Sequence, residues 1–281
     1  MPRIVLITND TPHGQRVLQA IWDRGIALDA VLVLTGGFGM PVLRGAGTTR
    51  RLLRWPRGIA GTVRRRVRFH RERKAAYAAR CARVMATGAM NSAHLLRDLR
   101  ALAPDWIVLG GGGILKPEVI ATARLGVLNV HPALLPWIRG TAVTGPSLEN
   151  GVALGATLHR VDAGIDTGTI LQRRLITVEP ETTLGALERA CNALGAQMMA
   201  DAVEHLVGGG EPPAGVAQAV RYPLFTFPDE EQLQRHVALA KQGRGRELFE
   251  AWRPLCTDPD RLVLPDHLPT PATVTLRARG D

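Results

Sequence analysis

Asn129, His131 and Asp166 are an amide, an imidazole and a carboxylate within one stretch, Leu128 to Gly168. Such groups together can hold an oxyanion, move a proton and orient the base that moves it. Asn129 and His131 flank Val130 at the end of a short apolar run, GVLNV, that Pro132 stops. On a strand, alternate residues point to the same side, so both polar groups share a face at the strand's C-terminal end. In open α/β sheets that end is where ligands bind. Pro132, Pro136 and Gly140 keep the following loop out of helix and strand. Asp166 sits in Gly-Ile-Asp-Thr-Gly, where flanking glycines let backbone approach a ligand closely. No Ser or Cys is placed as a nucleophile, and the sequence calls for no metal.

The run Asn129-Val-His131-Pro-Ala-Leu-Leu-Pro136, followed by Asp166-Thr-Gly168, resembles the signature of the formyltransferases that use 10-formyltetrahydrofolate. That family includes glycinamide ribonucleotide, methionyl-tRNA and sugar-amine formyltransferases. The resemblance extends from Met1 to Val207, and the motifs that carry it lie between Gly110 and Gly168. It implies a catalytic triad of Asn129, His131 and Asp166. It implies that 10-formyltetrahydrofolate, a co-substrate, is held by Gly113, Ile114, Leu115, Asp162 and Ala163. In the family a histidine at the His159 position borders the active site, a role set against that of a sheet histidine satisfied by its neighbours. In the implied reaction an amine attacks the formyl carbon, Asn129 donates to the developing oxyanion, and His131 takes a proton. Asp166 orients His131 and favours its charged form.

The elements that position these groups follow from apolar runs and breakers. Arg3 to Thr8 reads as a buried strand, Gln15 to Arg24 as a helix and Ala30 to Leu34 as a strand, the opening of a Rossmann-like sheet. The first loop holds a single glycine, Gly14, so a NAD site is not expected. It also lacks the Gly/Ser-rich pattern with which glycinamide ribonucleotide formyltransferases hold a phosphate. Asp10 and His13 in that loop are candidate acceptor contacts, set against ordinary turn and cap roles. Helices are expected over Arg64–Arg83, Asn91–Leu102, Thr141–Glu149, from Thr182 or Thr183 to Val207, over Glu230–Lys241 and over Arg246–Trp252. Strands are expected over Trp106–Leu109, Gly155–Val161 and Ile170–Val178. Four glycines, Gly110 to Gly113, follow a buried strand and leave bare backbone for a flat ligand.

The expected class is α/β, a Rossmann-like open, mostly parallel sheet of the formyltransferase type with a small C-terminal appendage. The catalytic domain spans 1–207, with a basic insertion over 44–87, then a Gly/Pro linker at 208–215 and an extension over 216–281. With 281 residues and 46% apolar composition, the chain can bury a large core. No apolar run reaches membrane-spanning length, and Met1 to Asp10 reads as a strand and turn rather than a signal peptide. Three scattered cysteines fit a reducing cytoplasm. The net charge of +10 is local: Arg44 to Lys74 hold eleven Arg and one Lys against one acid, Glu72. That segment reads as a solvated insertion, a phosphate-binding surface, or a nucleic-acid or membrane contact.

The function expected is N-formylation of a primary amine on a small molecule, with a nucleotide-linked amino sugar as the leading acceptor. Three alternatives stand beside it. One is hydrolysis of 10-formyltetrahydrofolate, whose related enzymes carry an N-terminal regulatory domain for which there is no room ahead of Arg3. Another is formylation of methionyl-tRNA, whose enzymes carry a C-terminal β-barrel unlike this proline-bearing tail. The last is a folate-binding protein without catalysis.

Overall fold

The computed structural model describes residues 1–36, 74–111 and 113–276. The basic segment from Arg44 to Arg73, most of the Gly36–Gly47 loop and Gly112 lie outside the described residues. The chain is α/β and forms two compact units, Met1–Val127 and Leu128–Asp281. The compact division falls inside a strand that ends at His131.

In the first unit, β1 (Ile4–Thr8), β2 (Ala30–Leu34), β3 (Val84–Thr87) and β4 (Trp106–Gly110) pair in parallel in the order β3-β2-β1-β4. β1, β2 and β4 are buried along their full length, as expected of parallel strands covered on both faces. α1 (Pro12–Trp22) starts at Thr11, whose side chain accepts from Gly14 N, and Pro12 occupies the first turn. Val17, Leu18 and Ile21 form its buried stripe. A Cβ on Gly14 would lie 2.2 Å from both Gly110 O and Thr8 Oγ1, so only glycine lets α1 sit this close to β1 and β4. The helix expected over Arg64–Arg83 is represented among described residues by α2 (Lys74–Ala78). Val84, next after that expected span, opens strand β3. α3 (Ala93–Leu102) is capped by Ser92, and its buried Asp98 accepts from Thr87 Oγ1 on β3 at 2.8 Å. α4 (Pro117–Ile120) begins at Pro117, which fits the first turn.

In the second unit, β5 (Gly126–His131), β7 (Gly155–Arg160), β8 (Ile170–Leu175) and β10 (Val263–Leu264) pair antiparallel in that order. β6 (Arg139–Gly140) pairs in parallel with β9 (Leu224–Phe225). Four helices complete the unit: α5 (Thr144–Glu149), α6 (Leu184–Val207), α7 (Glu230–Lys241) and α8 (Arg244–Trp252). The core joins Trp137, Leu148, Leu154, Leu175, Leu187 and Cys191 to Leu248, Phe249 and Trp252 from the tail. Trp137 and Trp252 meet edge to face at 5.3 Å between centroids. Val216 exchanges two backbone hydrogen bonds with Ile170, and β10 adds to β8. The C-terminal stretch is therefore built into the core of the second unit. Among described residues, no helix is long and apolar enough to cross a membrane.

Candidate active site

The triad residues come together within the second unit through strand register. β5 and β7 run antiparallel with Asn129 opposite His159 and His131 opposite Thr157. Opposed side chains on neighbouring strands are in contact range. Asn129 Nδ2 lies 3.1 Å from His159 Nε2. His159 Nδ1 lies 2.9 Å from Arg160 O, a carbonyl that can only accept. The proton of His159 is therefore on Nδ1, and its Nε2 accepts from the Asn129 amide. Burial holds the His159 imidazole below its usual pKa against the opposing pull of the Asp166 carboxylate. A neutral His159 fixes the Asn129 amide with its NH2 toward the ring, leaving the second amide hydrogen to donate elsewhere.

His131 is 4% exposed. Its Nε2 donates to Ile138 O at 2.9 Å, and its Nδ1 lies 3.6 Å from Asp166 Oδ2. Thr157, opposite His131, donates to Ala133 O and accepts from Leu135 N, which ties down the loop after the triad strand. Asp166 has a φ of 53°, in the left-handed region that non-glycine residues rarely adopt. Three neighbours hold it there. Gly140 N donates to Asp166 Oδ2 at 2.9 Å, and Gln218 Nε2 donates to the carbonyls of Asp166 and Gly168. Arg139 donates twice to Ile165 O. Burial pushes the Asp166 pKa up, but the two imidazoles, the Gly140 N–H and Arg139 outweigh it and hold the carboxyl below its usual value. The group is thus an anion across the neutral range.

Gly140 has a φ of 102°, and a Cβ on it would lie 2.1 Å from Phe225 O of β9. The tail strand therefore presses on the very residue whose N–H holds Asp166. Arg139, Gln218 and the 224–225 strand were not singled out from sequence, and Gly140, expected to keep its loop out of helix and strand, instead lies in strand β6. The Trp-Ile-Arg-Gly run shows only a glycine in a loop, and Gln218 acts across a long sequence separation that no local pattern reveals.

The remaining candidates fall as follows. Asp162 and Ala163 are exposed. Asp162 Oδ1 accepts from Gly164 N and Thr167 Oγ1, which shapes the loop ahead of Asp166. In the first unit, Ile114 is 42% exposed and Leu115 2%. Leu115 is a core side chain there, and open space surrounds the Cβ position of Gly113. Asn91, another residue the sequence did not point to, clasps this turn: its amide donates to Ile114 O and accepts from Lys116 N. Asp10 accepts from Tyr77 Oη at 2.6 Å, and the His13 ring lies against Gly111.

Comparison with known proteins adds a family. The sequence profile described as Formyl transferase matches residues 60–203. The chain is 39% identical over 113 residues to a methionyl-tRNA formyltransferase of Aromatoleum aromaticum, covering 40% of this chain and 36% of that protein. It is 37% identical over 159 residues to one from a Cyanothece species, covering 54% and 48%. The matched stretch spans less than half the length of either relative. Among solved structures, glycinamide ribonucleotide transformylase 1 of Symbiobacterium toebii superposes with a TM-score of 0.51 at 22% identity, over 78% of this chain and 95% of that one. A Mycobacterium tuberculosis protein provisionally described as a sugar N-formyltransferase gives 0.51 at 14% identity, over 85% and 87%. At these identities the superpositions establish the fold.

Proposed function

The chain belongs to the formyl transferase family, and from that premise we propose that it moves a formyl group from 10-formyltetrahydrofolate to a primary amine on a small molecule. The observation that carries this reading is the convergence of Asn129, His131 and Asp166, with His131 Nδ1 3.6 Å from the carboxylate. Attack by a neutral amine on the formyl carbon creates an oxyanion and leaves the nitrogen one proton in excess. Asn129 donates its second amide hydrogen to that oxygen. His131 receives the proton at Nδ1 and returns it to the departing nitrogen of the tetrahydrofolate. The Asp166 anion holds the imidazolium in between. Contacts of this kind are often long in unliganded enzymes and shorten in the reacting complex. The exposed Ile114 beside the open backbone of Gly113 is the kind of surface a flat pterin ring takes, which supports the donor.

A nucleotide-linked amino sugar is the leading acceptor. It is supported by superposition on the provisionally described sugar N-formyltransferase over 85% of this chain. A second reading, formylation of methionyl-tRNA, is favoured by the names of the relatives at 37–39% identity and by the basic 44–74 segment. Release of tetrahydrofolate from 10-formyltetrahydrofolate separates them. Turnover with nucleotide-linked amino sugars, abolished in His131→Ala, is the expected result. Turnover only with charged methionyl-tRNA would replace the first reading with the second. Release without any amine would make the protein a hydrolase.

A further inference from the structure

A cavity of about 430 Å³ opens in the second unit between the 160–169 loop and the tail segment 217–221. That volume is in the ordinary range for small-molecule sites. Three arginines line it, Arg139, Arg160 and Arg221, against a single acid, Asp162. The acid is turned into its own loop, where Gly164 N and Thr167 Oγ1 donate to it. The lining therefore carries two more positive than negative charges. Arg139 gives its donors to the carbonyls of Ile165 and Tyr222 and contributes its charge, and a cavity lined by arginines suits the oxygens of phosphate better than it suits a neutral ligand. The cavity also touches the catalytic loop. Gln218, in its wall, donates to the carbonyls of Asp166 and Gly168, and Arg139 donates to Ile165 O.

We infer that the cavity walled by Arg139, Arg160 and Arg221 binds the phosphate or diphosphate of the amine acceptor. This rests on the small-molecule reading above and narrows it to acceptors that carry an anionic phosphorus group. The tail supplies Gln218 and Arg221, so it forms part of the acceptor site. An occupant of the cavity bears on the backbone that holds Asp166, which links acceptor binding to the geometry of the triad.

The test is calorimetric titration of the full chain with inorganic diphosphate, which needs neither formyl donor nor turnover. Saturable binding is expected, weakened about tenfold in each of Arg160→Ala and Arg221→Ala and abolished in Arg221→Glu. Arg139 is left intact because its bonds shape the loop, and melting curves verify that the exposed Arg221 variants stay folded. A triple change in the basic segment, Arg64→Gln with Arg65→Gln and Arg66→Gln, is expected to leave the diphosphate affinity within about twofold. Absence of saturable binding, or binding lost in the triple variant and kept in Arg221→Glu, would overturn the inference. A raised KM for 10-formyltetrahydrofolate in Arg160→Ala and Arg221→Ala, with diphosphate binding unchanged, would overturn it too, by giving the cavity to the donor's carboxylates. Failure of diphosphate binding leaves the formyltransferase assay untouched, so the two readings fail separately.

Discussion

Replacing Arg173 by methionine tests whether the tail is clamped to the catalytic loop. Arg173 is 5% exposed, the sole arginine or lysine among the buried described residues. Its Nε donates to Leu135 O at 2.7 Å, and its Nη1 donates to Pro265 O at 3.0 Å and Asp266 O at 3.3 Å. The guanidinium also lies 5.5 Å from the centroid of the Trp137 ring. Burial pushes its pKa down from 12.5 to about 10, a fall worth about 3 kcal/mol. Against that cost stand three bonds from a charged donor, each about 1.5–3 kcal/mol, the long one at the low end. The ring contact adds about 1 kcal/mol. The balance favours the arginine, so Arg173→Met should lose roughly 3–5 kcal/mol, with three carbonyls left without their donor. Equilibrium urea unfolding followed by tryptophan fluorescence reads the loss, and hydrogen exchange should show the 263–276 segment opening first. Arg173→Lys should lose nearly as much, because an ammonium cannot span the three carbonyls. If Arg173→Met were as stable as the wild type, desolvation would outweigh the bonds and the clamp would be no clamp.

Other expectations follow from the same geometry. Asn129→Ala, His131→Ala and Asp166→Ala should each lower turnover at least about a hundredfold while the protein stays folded, and near-full activity in any one would remove that residue from the mechanism. His159 is held below the ordinary imidazole value of 6.5, so the unfolded chain takes up its proton first. Its contribution is present above pH 6.5 and lost as the pH falls from there toward the folded value. Asp166, held below 3.8, adds stability that is lost only in stronger acid. The fall in melting temperature between about pH 7.5 and 5.5 should therefore be smaller in His159→Gln than in the wild type, and equal falls would put the acid sensitivity elsewhere. Gly140→Ala sets a Cβ against Phe225 O and should cost roughly 1–3 kcal/mol with a large loss of kcat. Gly209→Ala, also at positive φ but with nothing within 4 Å, should cost about 1 kcal/mol and leave kcat intact. Matching kcat values in these two variants would contradict the role given to Gly140 in holding Asp166.

The sequence made β1, β2 and β4 of the first unit legible because each is a buried apolar run with a breaker after it. Thr183 marked its helix start through cap chemistry that is local by nature, whereas the helix expected from Gln15 begins at Pro12 with Thr11 as its cap, and the one expected from Asn91 begins at Ala93 with Ser92 as its cap. The strand at Val84–Thr87 was lost because VMAT at a sheet edge has no alternation and follows a run of good helix formers. The proximity of Asn129 and His131 was readable from strand periodicity. Their relation to His159 was not, since it depends on antiparallel register between β5 and β7, which no spacing in the chain encodes.

The tail shows most clearly where sequence reasoning stops. Its anchors are hydroxyls and backbone carbonyls: Thr270 Oγ1 meets Trp137 Nε1 and Tyr222 Oη, Thr273 Oγ1 accepts from Trp252 Nε1, and Pro265 and Asp266 accept from Arg173. None of these leaves a periodic trace, and a proline-bearing stretch without strands reads as an appendage. Yet Trp252 packs on Trp137, which sits in the loop between His131 and Arg139, and β9 presses on Gly140, which holds Asp166. A change in the tail therefore acts on the triad by two routes, through the indole and through the glycine. Trp252→Phe keeps an aromatic ring against Trp137 but abandons Thr273, so it should loosen the tail with little effect on turnover, whereas a change at Phe225 that moves β9 should act on turnover directly.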